Sequence, residues 1–152
     1  GKLDRMGAVY YSRKDGKLAA GWKPGDEPQV PFVRASGGLI STAWDYAIFL
    51  QAFLNNGAYG NVTLLKPETV KLMTTVHTPP VTGTSGGYGY GWAIDGNGIY
   101  SHGGSDGTFA WVDPGRNIIG LVFTQTPRGA NPTRKFMELV RLSINEQPRA
   151  IP

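Results

Sequence analysis

The sequence predicts an α+β domain: helices, then an antiparallel strand meander, then a carboxyl-terminal helix packed on the sheet. Three observations carry that prediction. After Thr42, apolar residues recur at helical spacing, with Tyr46, Phe49, Leu50, Phe53 and Leu54 on one face. Four short β-type runs between Tyr88 and Gln125 are divided by turn residues such as Asp95-Gly96-Asn97-Gly98 and Asp113-Pro114-Gly115-Arg116-Asn117. A second largely apolar stripe, Phe136, Leu139, Val140, Ser143 and Ile144, follows Asn131-Pro132. Elements in that order bury their apolar faces as helix and sheet layers around a shared core.

Each element has a local cause. Ala8-Val9-Tyr10-Tyr11 and Leu18-Ala19-Ala20 flank Lys14-Asp15-Gly16-Lys17, and Asp-Gly favours a tight hairpin because glycine takes positive φ freely. The stretch from Trp22 to Phe32, rich in Pro, Gly and acid, reads as a surface loop, so residues 1–35 form a hairpin and loop. Residues 36–78 are the helical part. There Ser36-Gly37-Gly38-Leu39-Ile40-Ser41 is a tight turn, Thr42 is the N-cap with Asp45 three residues on, and Asn55-Asn56-Gly57 stops the helix. A second helix starts at Lys66-Pro67-Glu68, with proline in the first turn and acid near the positive end of the dipole, and stops before Thr78-Pro79-Pro80.

Residues 86–126 are the strand section, with runs Tyr88–Ile94, Ile99–His102, Phe109–Asp113 and Ile118–Gln125. Strands joined by such short connections pair antiparallel. Ile118-Ile119-Gly120-Leu121-Val122-Phe123 is nearly all apolar and is expected to be central and covered on both faces. Asn131 is the expected cap, and Pro132 the first turn, of a helix within residues 131–147 that packs across the sheet.

Composition narrows the class of function. At 152 residues the chain is long enough for one domain with a real core, and no run of about 20 apolar residues suits a membrane span. It has no cysteine, which removes disulfides and thiolate metal sites and leaves the compartment undetermined. The net charge is +4, but the 15 basic residues are spread from Lys2 to Arg149 with only Arg13-Lys14 and Arg134-Lys135 adjacent. A nucleic-acid footprint clusters its charge on one face, so no nucleic-acid partner is expected. The first residues lack the apolar core of a signal peptide, and the chain does not begin with Met, which leaves room for a longer parent with its own leader. His77 precedes Thr78-Pro79-Pro80 with no partner at metal spacing and reads as solvated, so no metal and no cofactor are expected.

The chemistry concentrates in Tyr100-Ser101-His102-Gly103-Gly104-Ser105-Asp106-Gly107-Thr108. A titratable imidazole ends an apolar strand, and glycines at 103, 104 and 107 let other groups approach the backbone. Successive open amides can hold a developing negative charge. The same residues also spell an ordinary glycine-rich turn with a solvated histidine.

Five pieces in order carry a family resemblance: Gly37-Gly38-Leu39-Ile40-Ser41-Thr42-Ala43-Trp44-Asp45-Tyr46-Ala47, Leu64-Leu65-Lys66-Pro67-Glu68-Thr69-Val70, Tyr88-Gly89-Tyr90-Gly91-Trp92, Ser101-His102-Gly103-Gly104 and Trp111-Val112-Asp113-Pro114. From about Gly7 to Asn145 the chain resembles the C-terminal part of the serine β-lactamase-related family, which includes class C β-lactamases, penicillin-binding D-Ala-D-Ala peptidases and related esterases. The resemblance implies a β-lactamase/transpeptidase-like fold of which residues 1–152 are one partial domain. It implies an acyl-enzyme hydrolase with three motifs: a nucleophile Ser-x-x-Lys, a Tyr-x-Asn, and a Lys/His-x-Gly on a strand edging the site. His102-Gly103-Gly104 matches the third. Its histidine would orient the general-base group and complement negative charge on the substrate, and Ser105 would lend its backbone N–H to the oxyanion hole. Gly103, Gly104, Asp106 and Gly107 would border the bound substrate, a small ester, amide or lactam.

The departures matter equally. None of the serines has a lysine three residues on, so the chain carries no Ser-x-x-Lys nucleophile. Tyr59-Gly60-Asn61 spells Tyr-x-Asn but follows the Gly-Gly-Leu signature instead of preceding it, and reads as a turn. Gly103 stands where a Thr or Ser hydroxyl commonly binds a substrate carboxylate, which leaves ester or amide chemistry open. The expectation is therefore the C-terminal part of a longer hydrolase, inactive alone, with a periplasmic or secreted parent compatible with the family. The alternative is a non-catalytic binding or assembly module on the same scaffold, with most of Tyr88, Tyr90, Trp92, Phe109 and Trp111 in the core and one or two facing a groove. An edge left uncovered would favour self-association or complementation by the N-terminal part.

Overall fold

The Asp15-Gly16 turn folds the chain back on itself: β1 (Tyr10–Ser12) pairs antiparallel with β2 (Leu18–Ala20), and Gly16 supplies φ of 77°. The structure is a computed structural model that describes residues 3–27, 32, 37–78, 86–126 and 132–144. After the loop, α1 spans Ala43–Leu54. Its first turn is capped as expected, with the Asp45 N–H donating to Thr42 Oγ1 at 3.1 Å. It ends where Asn56 and Gly57 take positive φ, and at Gly57 a Cβ would collide with the Leu65 carbonyl oxygen at 2.1 Å.

Tyr59-Gly60-Asn61 is a turn, as read, and it joins a small hairpin that the sequence reading missed, β3 (Ala58–Tyr59) with β4 (Val62–Thr63). Helix α2 (Pro67–Met73) follows, with Pro67 at its first position.

Among the described residues the sheet has five antiparallel strands in the order β5 (Gly87–Tyr88), β6 (Ala93–Ile94), β7 (Tyr100–Gly103), β8 (Phe109–Asp113) and β9 (Ile118–Val122). Two expectations are corrected here. The run Tyr88–Ile94 is not one strand. The Gly89 N–H donates to the Trp92 carbonyl at 2.8 Å and Gly91 takes φ of 81°, so the run reverses and makes two. Nor is the apolar run from Ile118 central, because β9 is the terminal strand of this sheet. Its apolar side chains are nevertheless used on both faces. Ile119 and Leu121 pack against the α1 core, while the Trp111 ring lies so close over Gly120 that a Cβ there would sit 1.9 Å from it.

Alternation along β8 sorts the two layers. Ala110 and Val112 join Leu50 and Phe53 of α1, with Val70, Trp92, Ile94 and Tyr100, in one buried cluster. Leu50 and Val112 lose all solvent contact, and burying each such side chain stabilises by about 1.5–3 kcal/mol. Phe109 and Trp111 point to the other face, where Phe136 of α3 (Thr133–Ser143) stands edge-on to Trp111 at 5.5 Å. The C-terminal helix does pack on the sheet, but its stripe is not wholly buried, since Leu139 is 51% exposed. The expected cap Asn131 lies outside the described residues, and Pro132 holds the N-cap position without a side-chain bond.

Candidate active site

Strand β7 has unequal surroundings along its length. It pairs with β8 throughout, from Tyr100↔Val112 to Gly103↔Phe109, but with β6 only at Tyr100 and Ser101. From His102 onward, among the described residues, the strand has a neighbour on one side and an open edge on the other. Tyr100 is 4% exposed, whereas His102, Gly103, Gly104 and Ser105 are all exposed.

The turn that follows is built from the glycines, and this corrects part of the sequence reading. The Gly104 N–H donates to the Thr108 carbonyl at 2.7 Å and the Gly107 N–H to the Gly104 carbonyl at 3.1 Å. Those two amides close the turn and are not open for a ligand. Gly107 is needed for backbone geometry: its φ is 87° and a Cβ would lie 2.3 Å from Thr124 Oγ1. Because Gly104 donates toward β8, strand alternation directs the Gly103 N–H to the open edge. The Ser105 N–H has no hydrogen-bond partner among the described residues.

The turn is pinned to the chain just after β9. The Thr124 hydroxyl donates to the Asp106 carbonyl at 2.6 Å, the Thr126 N–H donates to the same oxygen at 3.1 Å, and the Thr108 hydroxyl donates to the Thr124 carbonyl at 3.1 Å. The Ser105 hydroxyl donates to the Asp106 carboxylate at 3.2 Å. Asp106 therefore anchors the turn through its carbonyl and turns its neighbour's hydroxyl aside through its carboxylate.

Tyr88 enters this site from two strands away; the sequence named it only among five strand aromatics of which one or two would face a groove. Its ring lies edge-on to the His102 imidazole, 6.3 Å between centroids and 72° between planes. Of the strand aromatics, Trp92 and Trp111 are buried, while Tyr88 is 37% and Tyr90 54% exposed. His77 stacks on Tyr90 with centroids 4.4 Å apart, and its Nε2–H donates to the Leu72 carbonyl at 2.7 Å. Burial raises the phenol pKa of Tyr46 and, further, of Tyr100; both belong to the core rather than the open edge. Among the described residues no three His, Asp or Glu gather as a metal site, and no helix is long and apolar enough to cross a membrane.

Chemically, the edge offers a free amide donor and an imidazole three residues apart. That pair can polarise a carbonyl and stabilise the oxyanion formed from it. It brings no nucleophile of its own.

Comparison with known proteins places the chain in a family. The family described as Beta-lactamase matches residues 4–141. An Escherichia coli K12 protein named "Putative D-alanyl-D-alanine carboxypeptidase" is 32% identical over a stretch that covers 62% of this chain and 24% of its own length. The octameric penicillin-binding protein homologue from Pyrococcus abyssi superposes with a TM-score of 0.70 at 24% identity, over 93% of this chain and 31% of that one. A mutant simvastatin synthase from Aspergillus terreus gives a TM-score of 0.70 at 21% identity, over 93% of this chain and 42% of that one. The two structures share the fold, and the chain spans about a quarter of the length of the curated relative.

Proposed function

This chain belongs to the beta-lactamase family, and from that premise we propose that residues 1–152 are the partial, C-terminal domain of a serine hydrolase working through an acyl-enzyme on an ester, amide or β-lactam. The observation that supports this most is the Ser105 amide, unpaired among the described residues, in the turn after the β7 edge that carries His102. In this reading the Ser105 N–H is one oxyanion donor and the nucleophile's own N–H is the second. Removing one such donor typically costs about 10²–10³ in turnover. His102 faces the negative charge of the tetrahedral intermediate and orients the base. Gly103 leaves the edge unobstructed.

The nucleophile and base lie on other sequence, because no Ser-x-x-Lys occurs here. The 152-residue chain is accordingly expected to leave nitrocefin and p-nitrophenyl esters at the buffer rate, whereas the chain joined to an upstream segment carrying Ser-x-x-Lys and Tyr-x-Asn turns one of them over. Turnover by the chain alone would defeat the division of labour, and an inert joined protein would defeat the hydrolase reading. A binding or assembly module is the second reading. It is favoured by Leu39, Ile40 and Trp44, which stand 68–82% exposed around the start of α1. Association of the chain with itself or with an N-terminal segment would cover them, and size-exclusion chromatography over a wide concentration range measures it.

A further inference from the structure

We propose that Tyr88 is a specificity residue of the β7 edge: with His102 it forms a wall that seats a neutral aromatic group of the substrate. This rests on the reading of that edge as half of an acyl-transfer site, and adds the kind of group the site selects.

Tyr88, Ala93 and Ser101 share one cross-strand row, so the tyrosine starts two strands from β7. From there its ring stands edge-on to the His102 imidazole, with centroids 6.3 Å apart. Such an arrangement is favourable for aromatic pairs at 4.5–7 Å between centroids, and its exposed faces can take a third ring. Because β6 ends in register at Ser101, the ring stands beside the only part of β7 that lacks a second strand neighbour among the described residues.

Charge and hydrogen-bonding capacity select the neutral class. Residues 100–108 contain one carboxylate, Asp106, and no lysine or arginine. Strands β5 and β6 contribute Gly87, Tyr88, Ala93 and Ile94, none of them charged. Position 103 has no hydroxyl, and the Ser105 hydroxyl is already given to Asp106. A substrate carboxylate at this edge would meet Asp106, with His102 the one basic side chain on residues 100–108 and strands β5 and β6. A neutral ring against Tyr88, with its carbonyl at the Ser105 amide, meets no such cost.

The test is a titration of the ¹⁵N-labelled 152-residue chain, followed by NMR at the Ser105 amide and the His102 ring. Phenylacetamide should shift both signals saturably, acetamide should not at the same concentration, and phenylacetate should bind more weakly than its amide. Tyr88→Leu should weaken phenylacetamide by about fivefold, the scale of one lost aromatic contact, while Tyr88→Phe and the control Tyr90→Ala retain it. Should Tyr88→Leu fail to fold, Ala93→Leu sets a larger side chain directly opposite Tyr88 in the register and is expected to produce the same loss. Unsaturable shifts, unchanged binding in Tyr88→Leu, or tighter binding of phenylacetate would overturn the proposal. The hydrolase reading fails by a different result, a joined protein inert toward esters, which leaves this titration unaffected.

Discussion

Tyr100 and His102 lie two residues apart on one strand and on one face of it, yet their environments are opposite. Tyr100 has strand neighbours on both sides, rests edge-on against Trp92 at 5.4 Å and near Phe53 at 6.5 Å, and belongs to the α1 core. Among the described residues His102 has a strand neighbour on one side only; it is exposed and meets one ring from outside that core. The difference is made by the length of β6. Where a second strand continues, the face is sealed for stability; where it stops, backbone donors and an imidazole are left to act on something else.

Substitutions can test that contrast, beginning with the packed end. Phe53→Ala removes the ring that joins Trp92 and Tyr100, and a buried Phe→Ala change costs about 3–5 kcal/mol. Urea denaturation should show that loss, and a cost under about 1 kcal/mol would mean the Tyr100 end is not held by α1. The same end should also respond to alkali. Burial raises the Tyr100 phenol above its usual value of 10.0, so the folded chain keeps a proton that the unfolded chain releases. Stability is therefore fully present below about pH 10 and falls above it, by up to about 1.4 kcal/mol per pH unit for this group. Tyr100→Phe should flatten that alkaline fall in denaturation midpoints measured between pH 9 and 11.

At the site end the effects are smaller and local. Gly107→Ala forces a side chain into positive φ and against Thr124, which should cost about 1–3 kcal/mol. It should also shift the Ser105 and Asp106 amide resonances more than those of α1, and a uniform shift would separate the turn from the edge it is meant to hold. Smallest of all, His102→Gln changes an exposed residue and should move stability by no more than about 0.5 kcal/mol. A large loss there would mean that the histidine holds the sheet together instead of facing a ligand.

Much of this molecule is legible along the chain because its causes are local. Thr42 caps α1 by reaching an amide three residues on, and Asp15-Gly16 turns its hairpin through one permissive backbone angle. The antiparallel order of the strand section follows from connections too short for anything else. The split of Tyr88–Ile94 was less visible, because aromatic β-formers masked the turn that Gly89 and Gly91 make. At the site, the turn after His102 and its glycines could be located from sequence. Which amides remained free could not, since Gly104 and Gly107 spend theirs on acceptors chosen by the turn itself.

What the sequence by itself determined is the three main helices, the antiparallel strand section that follows the first two, and the family to which five ordered motifs belong. Those depend on backbone propensities, caps and turns whose partners lie within a few residues. Only the tertiary structure decided that β9 ends the sheet among the described residues, that Asp106 is fastened to Thr124 and Thr126 from 18 and 20 residues away, and that the Tyr88 ring meets His102. Each of those depends on strand register and on where a neighbouring strand stops. Pairing between distant segments sets both, and no local pattern records them.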